Sequence, residues 1–341
     1  GLTFIGILFA GPTYMAIAVI GCQLLIIKEL TWCGAKMLQV ELFSRLKFIM
    51  WFLVAIANYS SFRKVFGPYS YHRIGTTDSE NITRIDEQNL LDKAVDYNRI
   101  SGLDQFICAC GIFLAFVFFI LILKEGQYLI QINWFFLVIA AIIFITFPCW
   151  MAVQVMMNSL IWLLAPLLLV AANDTFAYFV GKFWPVNLFG PRKPLIALSP
   201  NKSVQGFFGG LVVTLASTPL VFIFNKWTAI TNPVVVDGYF LKNYPCYNQG
   251  NNDENIDIIC KMQVQMNFTH CLVIAVFTCI IGPFGGFFAS ALKRAFEIKD
   301  FGNTIPGHGG FLDRFDCVIL VTAFTYFYLR WQQDCLWGSL V

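Results

Sequence analysis

The sequence predicts an all-α polytopic integral membrane protein with about seven to nine transmembrane helices and a site facing the cytoplasm. Three observations carry this. Of 341 residues, 58% are hydrophobic and only 13% charged, with a mean hydropathy of +0.68. The apolar residues gather in long blocks, each near the roughly 17–25 residues a helix needs to cross the hydrocarbon core. Basic residues concentrate in alternate loops. Such low charge excludes a disordered chain. A net charge of +3, from 23 Lys+Arg against 20 Asp+Glu, gives no ground for a nucleic-acid partner.

The blocks run 2–27, 46–62, 106–123, 128–148, 153–181, 207–224 and 271–289. Gly11-Pro12 interrupts the first and predicts two helices joined by a tight turn. The chain begins at Gly1 inside an apolar stretch, so a preceding segment is expected. The 153–181 block is long enough to tilt or to emerge into the interfacial layer. Residues 317–329 are short for a span and end at Arg330, which predicts a re-entrant or tilted helix. We divide the chain into N-terminal helices (1–150, with a polar loop at 63–105) and a second helical region (151–341). No internal repeat is visible.

Loops 28–45, 124–127, 182–204 and 290–316 carry denser Lys and Arg than loops 63–105 and 226–270, which makes the first set cytoplasmic. The second set holds Asn-x-Ser/Thr sequons at Asn81 and Asn267, and Cys246 and Cys260 in one polar loop. Glycans and disulfides both belong on the lumenal side. A Cys246–Cys260 bridge would stabilise that loop by about 3 kcal/mol in the chain-entropy view. The other cysteines in or beside apolar blocks read as small hydrophobes, and no CxxC pattern suggests zinc.

Charges that interrupt apolar blocks point to a site. Asp174 lies near the end of the 153–181 block, where a carboxylate is expensive and marks function. The segment Gly190–Ser203 brings Arg192, Lys193 and Lys202 to the start of a helix predicted near Val204, which Ser199 or Ser203 would cap. The densest cluster is 290–316, with Lys293, Arg294, Lys299 and Arg314 beside Asp300, Asp313 and Asp316. Asp313 and Asp316, three apart, share one helix face. Oxygen ligands suit Mg²⁺, and Gly307-His308-Gly309-Gly310 permits close backbone approach to an anion.

The segment reads Ser-x-x-Lys-Arg-x4-Lys-Asp, a spacer, then Pro-x-His-Gly-Gly-x-x-Asp-Arg-x-Asp, filled by Ser290, Lys293, Arg294, Lys299, Asp300, Pro306, His308, Gly309, Gly310, Asp313, Arg314 and Asp316. It resembles the signature of the phosphatidate cytidylyltransferases (CDP-diacylglycerol synthases). Ile281–Ser290 and Asn173–Tyr178 look like the eukaryotic branch. Leu198–Phe207 is similar to another family segment but departs from it, with Gln205 where the family has Glu. On that ground Gln205→Glu is expected to be tolerated.

The resemblance implies that CTP and phosphatidic acid give CDP-diacylglycerol and pyrophosphate, with Mg²⁺ as cofactor, in the endoplasmic reticulum membrane. It implies catalytic roles for Asp300, Asp313, Asp316, Lys299 and Arg314. Phosphate contacts would fall to Lys202, Ser203, Lys293, Arg294, His308, Gly309 and Gly310. Metal ligation would fall to Asp174, Asp300, Asp313 and Asp316. Expected partners are CTP, phosphatidic acid and membrane lipids, with homodimer formation left open. The rival readings are a CTP-dependent lipid kinase and a polytopic transporter.

Overall fold

Pro12 is the first residue of helix α1 (Pro12–Met37). Its fixed φ suits the first turn, where its missing N–H has no intrahelical partner to lose. The computed structural model describes residues 12–37, 43–66, 87–184, 190–191, 193–196, 199, 202–227, 234–236, 239–241, 264–304 and 309–340. Helices α2 (Phe43–Phe66), α3 (Glu87–Ile122), α4 (Tyr128–Ala141), α5 (Phe147–Asn158), α6 (Leu160–Phe183) and α7 (Val204–Trp227) follow. Then come α8 (Phe268–Ile280), α9 (Gly282–Ala295) and α10 (Leu312–Leu340). A small antiparallel ribbon pairs β1 (Val234–Val236) with β2 (Tyr239–Leu241), Val235 opposite Phe240.

Among the described residues, six helical segments are long and apolar enough to cross a membrane: Tyr14–Gly34, Gly102–Ile122, Tyr128–Met156, Leu160–Phe183, Val204–Ile223 and Phe268–Ala295. A shorter apolar helix, Leu46–Tyr59, lies in α2. With it and α10, the bundle agrees with the expected all-α membrane architecture. Phe113, Leu121 and Leu129 remain 70%, 75% and 73% exposed. Side chains of that kind on the flank of a helical bundle suit lipid rather than water.

The segment boundaries depart from the sequence reading in four places. α1 continues through Lys28 to Met37, where a polar loop was expected, because Glu29 is buried and has partners in another part of the chain. α3 begins at Glu87, inside the predicted 63–105 loop. The break expected between residues 148 and 153 falls at Ser159, whose extended backbone (φ −166°, ψ 144°) separates α5 from α6. Pro148 does not end its helix. A π-turn at Ile142–Thr146 precedes it, and Phe147 N–H reaches back to the Ile142 carbonyl. That wider turn accommodates a ring that would otherwise strike the carbonyl four residues back. Finally, α10 is one continuous 29-residue helix, longer at both ends than the 317–329 stretch read from the sequence. Its apolar stretch buries Cys317, Val321 and Leu329 in the core, and polar residues prolong it at both ends.

One core cluster gathers Met156, Leu160, Trp162, Leu169, Ile274 and Val321 from α5, α6, α8 and α10. A second joins Ile27, Met50, Phe119, Trp134 and Phe301, linking α1–α4 to the segment between α9 and α10. α6 and α7 pack as an antiparallel hairpin at almost backbone contact. A Cβ at Gly206 would lie 2.6 Å from the Ala177 carbonyl oxygen and 3.1 Å from Ser203 Oγ. Gly206→Ala therefore forces the two helices apart. It should destabilise the protein by about 1–3 kcal/mol, read as a lower thermal midpoint in detergent. An unchanged midpoint would show that the helices separate freely.

Candidate active site

The segment before α7 folds as a short hairpin. Leu195 N–H donates to the Lys202 carbonyl at 2.8 Å, and Val204 N–H to that of Lys193 at 2.9 Å. Ser203 then caps α7, its Oγ accepting from Gly206 N–H at 3.1 Å, as predicted. Gln205 ties the hairpin together with both ends of its amide. Oε1 accepts from Lys193 N–H at 3.2 Å, and Nε2 donates to the Pro191 carbonyl at 3.3 Å.

This hairpin aims Lys202 at the junction of α6, α9 and α10. Its Nζ lies 4.8 Å from the centre of the Phe287 ring. It interacts with both Asp174 on α6 and Asp316 on α10. Asp174 also lies within electrostatic reach of Asp316. Asp316 Oδ1 accepts from Cys317 N–H at 2.7 Å. Asp316 is half-buried and precedes the apolar stretch of α10. Burial raises its carboxyl above the usual carboxylate range, while the Cys317 N–H and the nearby Lys202 charge oppose that rise.

One turn away, Asp313 gathers the segment between α9 and α10. Lys293 Nζ meets Oδ1 at 2.8 Å. Oδ2 accepts from Phe301 N–H at 3.2 Å and Gly310 N–H at 3.1 Å. Gly309 passes between carboxylates with φ +82°, a conformation L side chains rarely adopt. A Cβ there would sit 3.3 Å from Asp313 Oδ2 and 3.4 Å from Asp300 Oδ1. Asp300, Lys299, Arg294 and Arg314 are exposed around this core.

The structure thus brings the predicted acidic residues together as two neighbouring groups. Asp300 and Asp313 flank Gly309, and Asp174 and Asp316 flank Lys202. Asp313 and Asp316 link the groups through the first turn of α10. Among the described residues, no three His, Cys, Asp or Glu side chains gather closely enough to hold a metal by themselves. His308, Arg192, Cys246, Cys260 and Asn81 lie outside the described residues. The other sequon residue, Asn267, caps α8 by accepting from His270 N–H at 2.9 Å.

Glu29 was not anticipated. It is 6% exposed on α1, yet its carboxylate serves the distant end of the chain. Oε1 accepts from Thr304 Oγ1 at 2.5 Å and Phe311 N–H at 2.9 Å, and Oε2 from Leu312 N–H at 3.1 Å. It therefore caps α10 from another helix, where unpaired N–H groups favour negative charge. A Cβ at Gly310 would lie 2.6 Å from Oε2, so only glycine fits against it. The available signal was an acidic residue directly after Ile26-Ile27-Lys28 in an apolar run.

Two substitutions test these contacts. Glu29→Gln keeps the size but turns one acceptor into a donor facing other donors. It should cost about 1–3 kcal/mol, read as a lower thermal midpoint together with reduced turnover. If both hold at parental values, Glu29 does not position the segment. Gln205→Glu, expected from the sequence to be tolerated, removes the donor to Pro191 and sets a carboxylate against that carbonyl. At this exposed position the loss should be about 1 kcal/mol, seen as faster proteolysis within residues 190–203. Parental protease resistance would show that the amide does not hold the hairpin.

The pattern of the Cytidylyltransferase family matches residues 94–332. The phosphatidate cytidylyltransferase of Caenorhabditis elegans is 30% identical over 96% of this chain and 68% of its own length. That of Saccharomyces cerevisiae is 30% identical over 94% of this chain and 68% of its own. Phosphatidate cytidylyltransferase 1 of Homo sapiens is 28% identical over 96% and 68%. The family match runs from within α3 to within α10, with both segments that set Lys202, Asp313 and Asp316 around one junction, and the chain belongs to the cytidylyltransferase family.

Proposed function

We infer that this chain is a CTP:phosphatidate cytidylyltransferase, an integral membrane nucleotidyltransferase of phospholipid biosynthesis that makes CDP-diacylglycerol and pyrophosphate. The observation that carries this reading is Lys202 held between Asp174 and Asp316, one helical turn from the Lys293–Asp313 pair. Cations and carboxylates alternate there at one end of an apolar bundle. Both substrates are polyanions, one dissolved in water and one anchored in lipid, so their phosphates must meet at a charged membrane surface.

A phosphate oxygen of phosphatidic acid attacks the α-phosphorus of CTP, and the bond from that phosphorus to the bridging oxygen of the β-phosphate breaks. The electron pair leaves with pyrophosphate. Phosphatidic acid is already ionised, so no general base is needed, and catalysis rests on positioning and charge stabilisation. Lys202, Lys293 and the exposed Lys299, Arg294 and Arg314 supply positive charge to the approaching phosphates. Ser290 Oγ donates to the Gly286 carbonyl at 2.7 Å, which suits a support rather than a nucleophilic role.

The donor set fits Mg²⁺, a hard cation that takes one or two carboxylates and completes its shell with water and substrate phosphates. Asp174 and Asp316 would hold it, with Asp300 exposed nearby. Asp313 already accepts three hydrogen bonds, which suits a supporting role. When bound, the metal would neutralise phosphate charge on the leaving pyrophosphate. The basic bias of loops 182–204 and 290–316 supports a cytoplasmic face for this end, where CTP is available. The same reading takes the endoplasmic reticulum as the membrane.

Radiolabelled CTP tests the reaction on purified protein. Label at the α-phosphate should enter lipid and label at the γ-phosphate should not. Transfer from the γ-position would establish a lipid kinase instead, and transfer from neither would remove the assignment. Asp316→Asn should lower α-label transfer by about a hundredfold or more while the protein remains folded in detergent. Near-parental transfer would remove Asp316 from the site.

A further inference from the structure

A cleft of about 820 Å³ opens between α1, α2 and residues 298–304. Lys28, Lys47 and Lys299 line it together with Leu25, Trp32 and Trp51. We propose that this cleft is the docking site for the phosphate of the lipid substrate, an anionic glycerophospholipid with a phosphomonoester head. The proposal rests on the cytidylyltransferase reading and extends it to residues outside the family match, since α1 and α2 precede residue 94.

Placement favours a lipid over a dissolved ligand. Lys28 lies near the end of the apolar segment Tyr14–Gly34, and Lys47 is the second residue of the apolar helix Leu46–Tyr59. Such positions suit the bilayer boundary, where long lysine stems lie along apolar surface and the ammonium reaches the headgroup layer. Tryptophans such as Trp32 and Trp51 favour the same depth. Leu25 and Trp51 offer an apolar surface to the first carbons of the acyl chains. The volume falls within the roughly 300–1,000 Å³ usual for small-molecule sites.

Of the acids that line the cleft, Glu29 is already engaged elsewhere. Its oxygens accept from Thr304, Phe311 and Leu312. Asp300 stands at the boundary with the reaction segment. Asp300 lines the cleft and also borders Gly309 beside Asp313, so a phosphate held by the three lysines would lie next to the Asp300–Asp313 group. Adjacent residues on a helix point about 100° apart, which lets α1 turn Lys28 to the cleft and Glu29 to the reaction segment.

CTP shares the phosphate chemistry, and kinetics separates the two ligands. In mixed micelles, the Lys28→Gln/Lys47→Gln double variant should raise the surface KM for phosphatidic acid by about tenfold and leave the KM for CTP in place. A rise in the KM for CTP instead would assign the cleft to nucleotide. No change in either KM would overturn the proposal. Each single variant is measured alongside, so that loss of the double variant through misfolding leaves a result.

A binding measurement on the intact protein needs no turnover. Phosphatidic acid with brominated chains should quench Trp51 fluorescence, isolated by difference from Trp51→Phe, more strongly than phosphatidylcholine with the same chains. The preference should vanish in the lysine variants. Preferential quenching without cytidylyl transfer would uphold the lipid site and sink the functional reading. Transfer without that preference would sink the lipid site alone.

Discussion

Asp313 accepts from Lys293 on α9 with one oxygen, and from the Phe301 and Gly310 N–H groups with the other. That one carboxylate joins the end of α9, the segment that follows it and the first turn of α10. Glu29 grips the same segment from α1 through Thr304, Phe311 and Leu312. The segment carries Gly302, Gly309 and Gly310, and Phe301 anchors it in the core. Two carboxylates accepting backbone N–H groups add to that packing in fixing its path. Each is offset by cations or helix N–H groups, as a charge removed from water must be.

With α10 fixed in this way, Asp316 and Asp174 both lie within electrostatic reach of Lys202. Lys202 reaches the junction because α6 and α7 touch at Gly206 and because Gln205 and Ser203 hold the hairpin before α7. Alternation of cation and carboxylate keeps either from standing alone at partial burial. It also gives the site its chemistry. An arriving phosphate competes with the carboxylates for the lysines, and a divalent cation competes with the lysines for the carboxylates. Charge interactions at a solvated membrane edge are weak enough for both exchanges to proceed.

How much of this was legible in the sequence follows from the range of the interactions. The apolar blocks were readable because each helix must meet the bilayer on its own account, so composition alone marks it. The Ser203 cap and the Asp313/Asp316 spacing were readable because both act within one turn. Glu29 was not, since its partners lie far along the chain and nothing near it in sequence announces them. Pro148 misled for a related reason. A proline ordinarily interrupts a helix, and the π-turn that accommodates it has no composition of its own. The extension of α10 was missed because charged residues at its ends lower its hydropathy without weakening the helix.

The dependence of α10 on Glu29 changes what the N-terminal helices are for. A bundle that needed α1 and α2 only to anchor the chain in lipid would tolerate any apolar residues there. Here α1 instead carries a carboxylate whose acceptors are used by residues 304–312, and Lys28 beside it lines the cleft that borders Lys299 and Asp300. Phe301 is buried in the same cluster as Ile27 and Met50, so the reaction segment is packed on α1 and α2 as well as hydrogen-bonded to α1. A shift of α1 would therefore move the N-terminus of α10, and Asp313 and Asp316 with it. The lipid-facing helices and the charged junction are mechanically one piece. An occupant of the cleft would press on the same two helices that set the geometry of the reacting groups.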